Sequence, residues 1–213
     1  GHQVTVIAGM MHYTSSEKRT EYKGKWFVYK KQGAVEVVRC HVSESYNANF
    51  IGRLWAYFSF VFSSSWAGLF KVKGKYEVII ITSPPLFVGI SGYIISLIKR
   101  TPYVFEIRDL WPESAIDTGV VTNKLIINLA YTLEKFIYKK ASLINVLTPA
   151  FKDTLINKKG ISQDKIIFIP NAADFSLSDD LVKNFDVNKF KVENDLENKF
   201  IITYVGAHGI ANY

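Results

Sequence analysis

Cysteine is nearly absent from this chain of 213 residues, which carries only Cys40. One thiol excludes an internal disulfide framework and any multi-cysteine metal site, and it suits a reducing compartment. The simplest role for Cys40 is that of a small core residue. Histidine is scarce too, and His2, His12, His41 and His208 lack the spacing of a metal cluster. A clean membrane-length apolar run is also missing. The uncharged stretch Leu54 to Phe70 falls short of the ~20 apolar residues a spanning helix needs, and serines and a glycine interrupt it. Two readings of it stay open: a buried amphipathic core helix, or an aromatic-rich helix at a membrane interface flanked by Arg53, Lys71, Lys73 and Lys75.

Acidic residues are the minority, 19 against 26 lysines and arginines, for a net charge of +7. That balance allows nucleic acid, an anionic membrane surface or a phosphorylated ligand as partner. The basic residues are dispersed apart from Lys30-Lys31 and Lys71 to Lys75, and no nucleic-acid module is recognisable, so nucleic acid is not expected. What the chain has in quantity is hydrophobic residues, 48%, with 15% aromatic, ample for a sizeable core. It opens on Gly1-His2 immediately before the strand-like Val4 to Ala8, as an entry in mid-fold would, so a signal peptide can be judged neither present nor absent.

Strand-length apolar runs alternate with helix-length periodic segments, the pattern of βαβ units and a parallel sheet. Tyr76 to Thr82 reads as a buried strand, Ser83-Pro84 as the cap and first residue of a crossover helix over Leu86 to Ile98, and Tyr103 to Ile107 as the next strand. Asn123 to Lys140 has helical periodicity and leads to a strand at Leu143 to Leu147. Thr148-Pro149 starts a helix running to about Lys159 with Gly160 as its stop, and Lys165 to Ile169 is a further strand. Nearer the start, Trp26 to Lys30 and Ala34 to Cys40 flank a Gln32-Gly33 turn, and Met11 to Gly24 reads as an exposed loop. Residues 1–175 thus form one domain, 176–198 a polar connection with a short helix, and 199–213 the start of a second domain, with a strand at Phe200 to Val205.

Charge gathers at one strand end. The run Tyr-Val-Phe-Glu-Ile empties directly into Arg108-Asp109-Leu110-Trp111-Pro112-Glu113-Ser114. In open parallel α/β sheets the ligand crevice lies outside the carboxyl ends of the strands, where such groups meet a polar substrate. A salt-bridged cap, a Trp-Pro plug and a helix-dipole acid explain the same residues without chemistry. Gly206, His208 and Gly209 follow a strand as a phosphate-binding turn would, or as a plain tight turn. Asn171 and Asp174, in Pro170-Asn171-Ala172-Ala173-Asp174, also satisfy a local turn.

Taken in order, Arg108 to Ser114, Leu147 to Phe151, Ile169 to Asp174 and Tyr204 to Asn212 resemble the family 4 glycosyltransferases of the GT-B fold. Within that family they resemble the subgroup of bacterial surface-polysaccharide clusters, such as the N-acetyl-fucosamine transferases of O-antigen and capsule assembly. The resemblance implies an α/β, Rossmann-like acceptor domain followed by a nucleotide-sugar domain. It implies retaining transfer from a nucleotide sugar, usually a uridine diphosphate sugar, to a lipid-linked saccharide at the inner face of the cell membrane, with no essential metal or other cofactor. Asp109 and Arg108 match the catalytic, cleft-facing pair; Ser83 and Pro84, with Glu113, the acceptor side; Gly206, His208, Gly209, Asn171 and Asp174 the donor side. The family's glycine-rich loop would precede Gly1 and its paired glutamates would follow Tyr213, so the chain is expected to be a piece, inactive by itself. Two alternatives share these features: a GT-B nucleotide-sugar 2-epimerase, and a module that binds only acceptor or membrane.

Overall fold

The computed structural model describes residues 2–11 and 18–205. The chain divides into two units, Gly1–Ile169 and Pro170–Tyr213. In the first, β1 (Thr5–Gly9) pairs in parallel with β3 (Val35–Cys40), and β2 (Phe27–Gln32) pairs antiparallel with β3, giving a sheet ordered β1-β3-β2. The β2–β3 hairpin turns at Gly33, whose φ of +58° favours glycine. Cys40 closes the small cluster of Val38 and Ala67; burial pushes its thiol up to about 12 and leaves it inert.

The larger sheet is all parallel. Its order is β4 (Ile79–Ser83), β5 (Tyr103–Ile107), β6 (Leu143–Val146) and β7 (Ile166–Phe168). Sequence neighbours are spatial neighbours, joined by α2 (Val88–Lys99), α4 (Lys124–Lys140) and α5 (Pro149–Asn157). Strand β5 carries the core: Tyr103, Phe105 and Ile107 are buried with Ile81, Ile137, Ile144, Val146 and Leu155. Each such side chain removed from water contributes about 1.5–3 kcal/mol. The Tyr103 hydroxyl, buried among them, donates to the Ile137 carbonyl at 2.7 Å and so carries no unmet polar cost.

Local chemistry sets most boundaries. The Asn123 side chain accepts from the Leu125 and Ile126 amides to start α4, and Thr148 Oγ1 accepts from the Phe151 amide to start α5, with Pro149 at its first position. Gly160, with a φ of +65°, follows α5. One expected cap is displaced. Ser83 ends β4, and its carbonyl accepts from the Arg108 amide, so it does not start α2. Neither Pro84 nor Pro85 can donate, and the first amide to bond back is that of Val88, to Pro85.

Helix α1 (Phe50–Trp66) continues into a π-helical turn at Ala67–Lys71. Asn49 caps it, accepting from the Gly52 amide at 2.7 Å. Its buried face is made mostly of small residues, Gly52, Ala56, Ser63 and Ser64 with Val61; Tyr57 and Phe60 are half-buried against the protein, while Trp55, Phe58, Phe62 and Trp66 are exposed. Of the two readings left open, a buried amphipathic core helix accounts for the packed small-residue face but not for the exposed aromatics; no helix among the described residues is long and apolar enough to cross a membrane. The Met11 to Gly24 loop contains a 3-10 turn, Thr20–Tyr22, that buries Tyr22; residues 12–17 lie outside the description.

In the second unit the polar segment forms two helices, α6 (Ser176–Asn184) and α7 (Val187–Glu193), where one was expected. The expected strand at Phe200 to Val205 is corrected: its described residues form no ladder, and Phe200, Ile202 and Val205 are exposed. A strand is defined by its neighbour, and none is present among the described residues.

Helix α2 packs closely at its glycines, Gly92 against β4 and Gly89 against α4. A Cβ on Gly92 would stand 2.0 Å from Ile81 Cδ1 and 2.5 Å from its Cγ1, and one on Gly89 would stand 2.4 Å from Ile137 Cδ1. Gly92→Val therefore overpacks the α2–β4 contact, with an expected loss of about 2 kcal/mol in urea unfolding; unchanged stability would show that the helix sits further out.

Candidate active site

The in-register pair Ser83↔Ile107 brings the ends of β4 and β5 to one edge, and the Arg108 amide donates to the Ser83 carbonyl at 3.1 Å. Ser83-Pro84 and Arg108-Asp109 thus become neighbours although 25 positions separate Ser83 from Arg108 in the sequence. Ser83 is buried, Pro84 and Arg108 are exposed, and Asp109 is half-buried at the carboxyl edge of the sheet. This is the edge at which parallel α/β sheets bind ligands.

Behind Asp109 the chain is pinned by apolar contacts. Leu110 and Trp111 pack against the main core, and Pro112 is buried. The Trp111 ring meets Phe87 edge-on at 5.8 Å, and Phe87 in turn stacks on Tyr57 at 5.4 Å. Leu-Trp-Pro is therefore the hydrophobic plug that presents Asp109.

A polar network that sequence reading missed lies beneath. Arg108 Nη1 stands 4.0 Å from Glu106 Oε1. Asn145, buried on β6, donates its side-chain amide to Glu106 Oε2 at 3.3 Å, and its Oδ1 accepts from the Ile169 amide at 3.0 Å. One buried Asn thus joins β5 to the end of β7. A charged residue inside the apolar run Tyr103 to Ile107 was the available signal for Glu106; nothing local marks Asn145.

Glu113 opens the short helix α3 (Glu113–Asp117) and reaches into a partly buried ion cluster. Lys159 Nζ donates to Glu113 Oε1 at 2.6 Å and to Glu134 Oε1 at 2.5 Å, and it lies over the Tyr131 ring at 5.5 Å. The ammonium ties α3 to α4 and to the end of α5. Burial pushes the Glu134 carboxyl above its usual range, partly offset by the hydrogen bond and charge of Lys159. For Lys159, burial pulls downward, but the hydrogen bonds from Glu113 and Glu134 outweigh it and hold the ammonium above its usual range. Glu113 Oε2 is buried without a hydrogen-bond partner.

The remaining expected residues lie in the second unit or outside the described residues. Asn171 and Asp174 belong to the second unit, where Asp174 Oδ1 accepts from the Ser176 amide at 3.0 Å and from its hydroxyl at 2.7 Å. Those bonds hold the Asp174 carboxyl below its usual range. Gly206, His208 and Gly209 lie outside the described residues. No group of three or more metal-ligating side chains is found among the described residues.

With this geometry in hand, the comparison with known proteins is informative: a family profile, the glycosyl transferase 4-like domain, matches residues 1–172. The chain belongs to this family. It is also 24% identical over 98% of its length to an Escherichia coli (strain K12) protein provisionally named the colanic acid biosynthesis glycosyl transferase WcaI. The chain spans about half the length of that relative, 52%. The parallel, Rossmann-like sheet is compatible with the GT-B fold of glycosyl transferase 4-like proteins.

Removing Lys159 leaves two carboxylates facing each other without a cation. Lys159→Met should cost about 3 kcal/mol at pH 7. Because the Glu134 carboxyl, already raised by burial, then loses the cation that offsets that burial, the folded state takes up a proton there more readily than the unfolded chain, so the deficit should shrink as pH falls toward 4. Urea titrations at both pH values measure this; a deficit independent of pH would show that the cluster is not ionic.

Proposed function

We propose that this chain supplies the acceptor-side domain of a retaining glycosyltransferase of bacterial surface-polysaccharide synthesis. The enzyme moves a sugar from a nucleotide sugar, a uridine diphosphate sugar in the first instance, to a lipid-linked saccharide at the inner face of the cell membrane. The observation that carries this reading is the meeting of Ser83-Pro84 with Arg108-Asp109 at the carboxyl edge of the parallel sheet, in a glycosyl transferase 4-like chain. The printed role of the Escherichia coli relative supports the polysaccharide context.

In this reading Asp109 holds the acceptor hydroxyl and manages its proton as the glycosidic bond forms, and Arg108 together with Glu106 fixes the local charge. The diphosphate leaves with growing negative charge. Helix N-termini and cationic side chains stabilise such charge, so the proposal includes transfer without a metal. Gly206, His208, Gly209, Asn171 and Asp174 remain proposed for the donor side, and Ser83, Pro84 and Glu113 for the acceptor side. Of these, Glu113 contributes through Lys159.

The test is a transfer assay with a lipid-linked saccharide, in a form extended to the length of the relative. Asp109→Asn should lower turnover about 10²-fold or more while leaving donor affinity unchanged, and a chelator should leave wild-type turnover intact. Full turnover in Asp109→Asn would remove Asp109 from the chemistry, and loss of turnover on chelation would make the reaction metal-dependent.

A further inference from the structure

Helix α1 is amphipathic in the reverse of the usual sense. Its small residues face the protein at close range: a Cβ on Gly52 would stand 2.3 Å from the Ser45 carbonyl oxygen, and one on Gly68, in the following turn, 2.3 Å from Ile95 Cδ1. Its outer face carries Ile51, Trp55, Phe58, Phe62, Trp66 and Phe70, spaced three or four residues apart and each between 45% and 75% exposed. The last three form a continuous ring surface, Phe62 to Trp66 at 6.4 Å and Trp66 to Phe70 at 4.6 Å. Folding gains nothing from holding these rings in water. An exposed apolar face of this extent marks a site that something covers.

The stripe ends on cations. Phe70 is followed by Lys71, and Lys71 and Lys73 line one wall of an open groove of 510 Å³ whose other residues include Lys30, Lys31, Tyr29 and Glu36. Lys30 is engaged by Glu21 at 2.9 Å, and Lys31 stands opposite Glu36 in the β2–β3 ladder. Among the described residues, none of Lys31, Lys71 and Lys73 has a carboxylate within 4.0 Å. Between Glu44 and Glu77 the chain has no acidic residue at all. The groove shares no residue with the Ser83–Asp109 edge, and it adjoins Thr5 and Glu36 at the amino ends of β1 and β3.

An aromatic face bearing two tryptophans and ending in uncompensated lysines is complementary to the headgroup layer of an anionic bilayer. The rings enter the acyl boundary, and the ammonium groups meet phosphate. We propose that the outer face of α1 and the lysine groove form one docking surface for an anionic lipid bilayer, with the phosphate of an acidic phospholipid headgroup seated between Lys31 and the Lys71–Lys73 wall. The proposal rests on the membrane-face reading given above and adds the residues, the lipid charge and the headgroup site. The groove's volume is within the range of small-ligand sites.

The experiment is vesicle co-sedimentation of the whole chain, with no sugar substrate present. It compares phosphatidylcholine vesicles with vesicles containing 30% phosphatidylglycerol, at about 0.1 M salt. The wild type should bind the anionic vesicles and shift its tryptophan emission to the blue, and it should bind neutral vesicles far more weakly. Lys31→Gln/Lys71→Gln/Lys73→Gln should weaken anionic binding about five-fold for each lysine removed. Lys135→Gln/Lys139→Gln/Lys140→Gln, which removes the same charge elsewhere, should bind like the wild type. Trp55→Ser/Phe62→Ser, at exposed positions that leave the core intact, should lose binding. Glycerophosphoglycerol at millimolar concentration should not displace the protein, because the bilayer rather than free phosphate is the ligand. Equal binding to neutral and anionic vesicles, or equal losses in the two lysine variants, would overturn the headgroup groove while leaving membrane attachment standing. Absence of binding to any vesicle would overturn both, as would a dimer in sedimentation that Trp55→Ser/Phe62→Ser dissolves.

Discussion

The parallel register of β4, β5 and β6 is the constraint on which the rest of this structure depends. Parallel strands need crossovers, crossovers put helices over the sheet, and every strand-to-helix exit then falls at one edge. Pairing Ser83 with Ile107 and Ile107 with Val146 aligns those exits. A slip of one residue would turn Tyr103, Phe105 and Ile107 out of the core and carry Asp109 from the edge with them. Core burial and site geometry are therefore the same fact seen from two sides.

Two buried polar arrangements hold that edge in different ways. Asn145 is an uncharged clamp: it satisfies Glu106 and the Ile169 amide at once, so the end of β7 stays beside the end of β5. Lys159 is an ionic one, and it costs desolvation that only its two carboxylates offset. Together with the Leu110-Trp111-Pro112 plug they leave Asp109 little freedom behind the exposed surface. Preorganisation of this kind is what a group placed to meet a substrate hydroxyl requires.

Much of this was legible in the sequence wherever the deciding interaction is local. Tyr103 to Ile107 is a strand with the bounds its apolar run implies, and Asn123 and Thr148-Pro149 start helices because their caps act within three residues. Ser83-Pro84 looked like the same device and is not, since a second proline follows and the Ser83 carbonyl is taken by a strand partner. Glu106, Asn145 and Lys159 were invisible as a group because the partners in these bonds lie between 24 and 46 positions away. Leu54 to Phe70 was read correctly as helical and aromatic, but its direction was hidden: glycine and serine carry no periodic signal as strong as the rings beside them, and close packing chose the small face.

The central claim is that the carboxyl edge formed by β4 and β5 receives a saccharide. Amide NMR of this 24.2 kDa chain, titrated with a water-soluble diphosphate-linked saccharide, tests that most directly. The account predicts that the amides of Ser83, Arg108, Asp109 and Leu110 shift together and saturate with one affinity. Shifts confined to other parts of the chain, with these four unmoved, would contradict it.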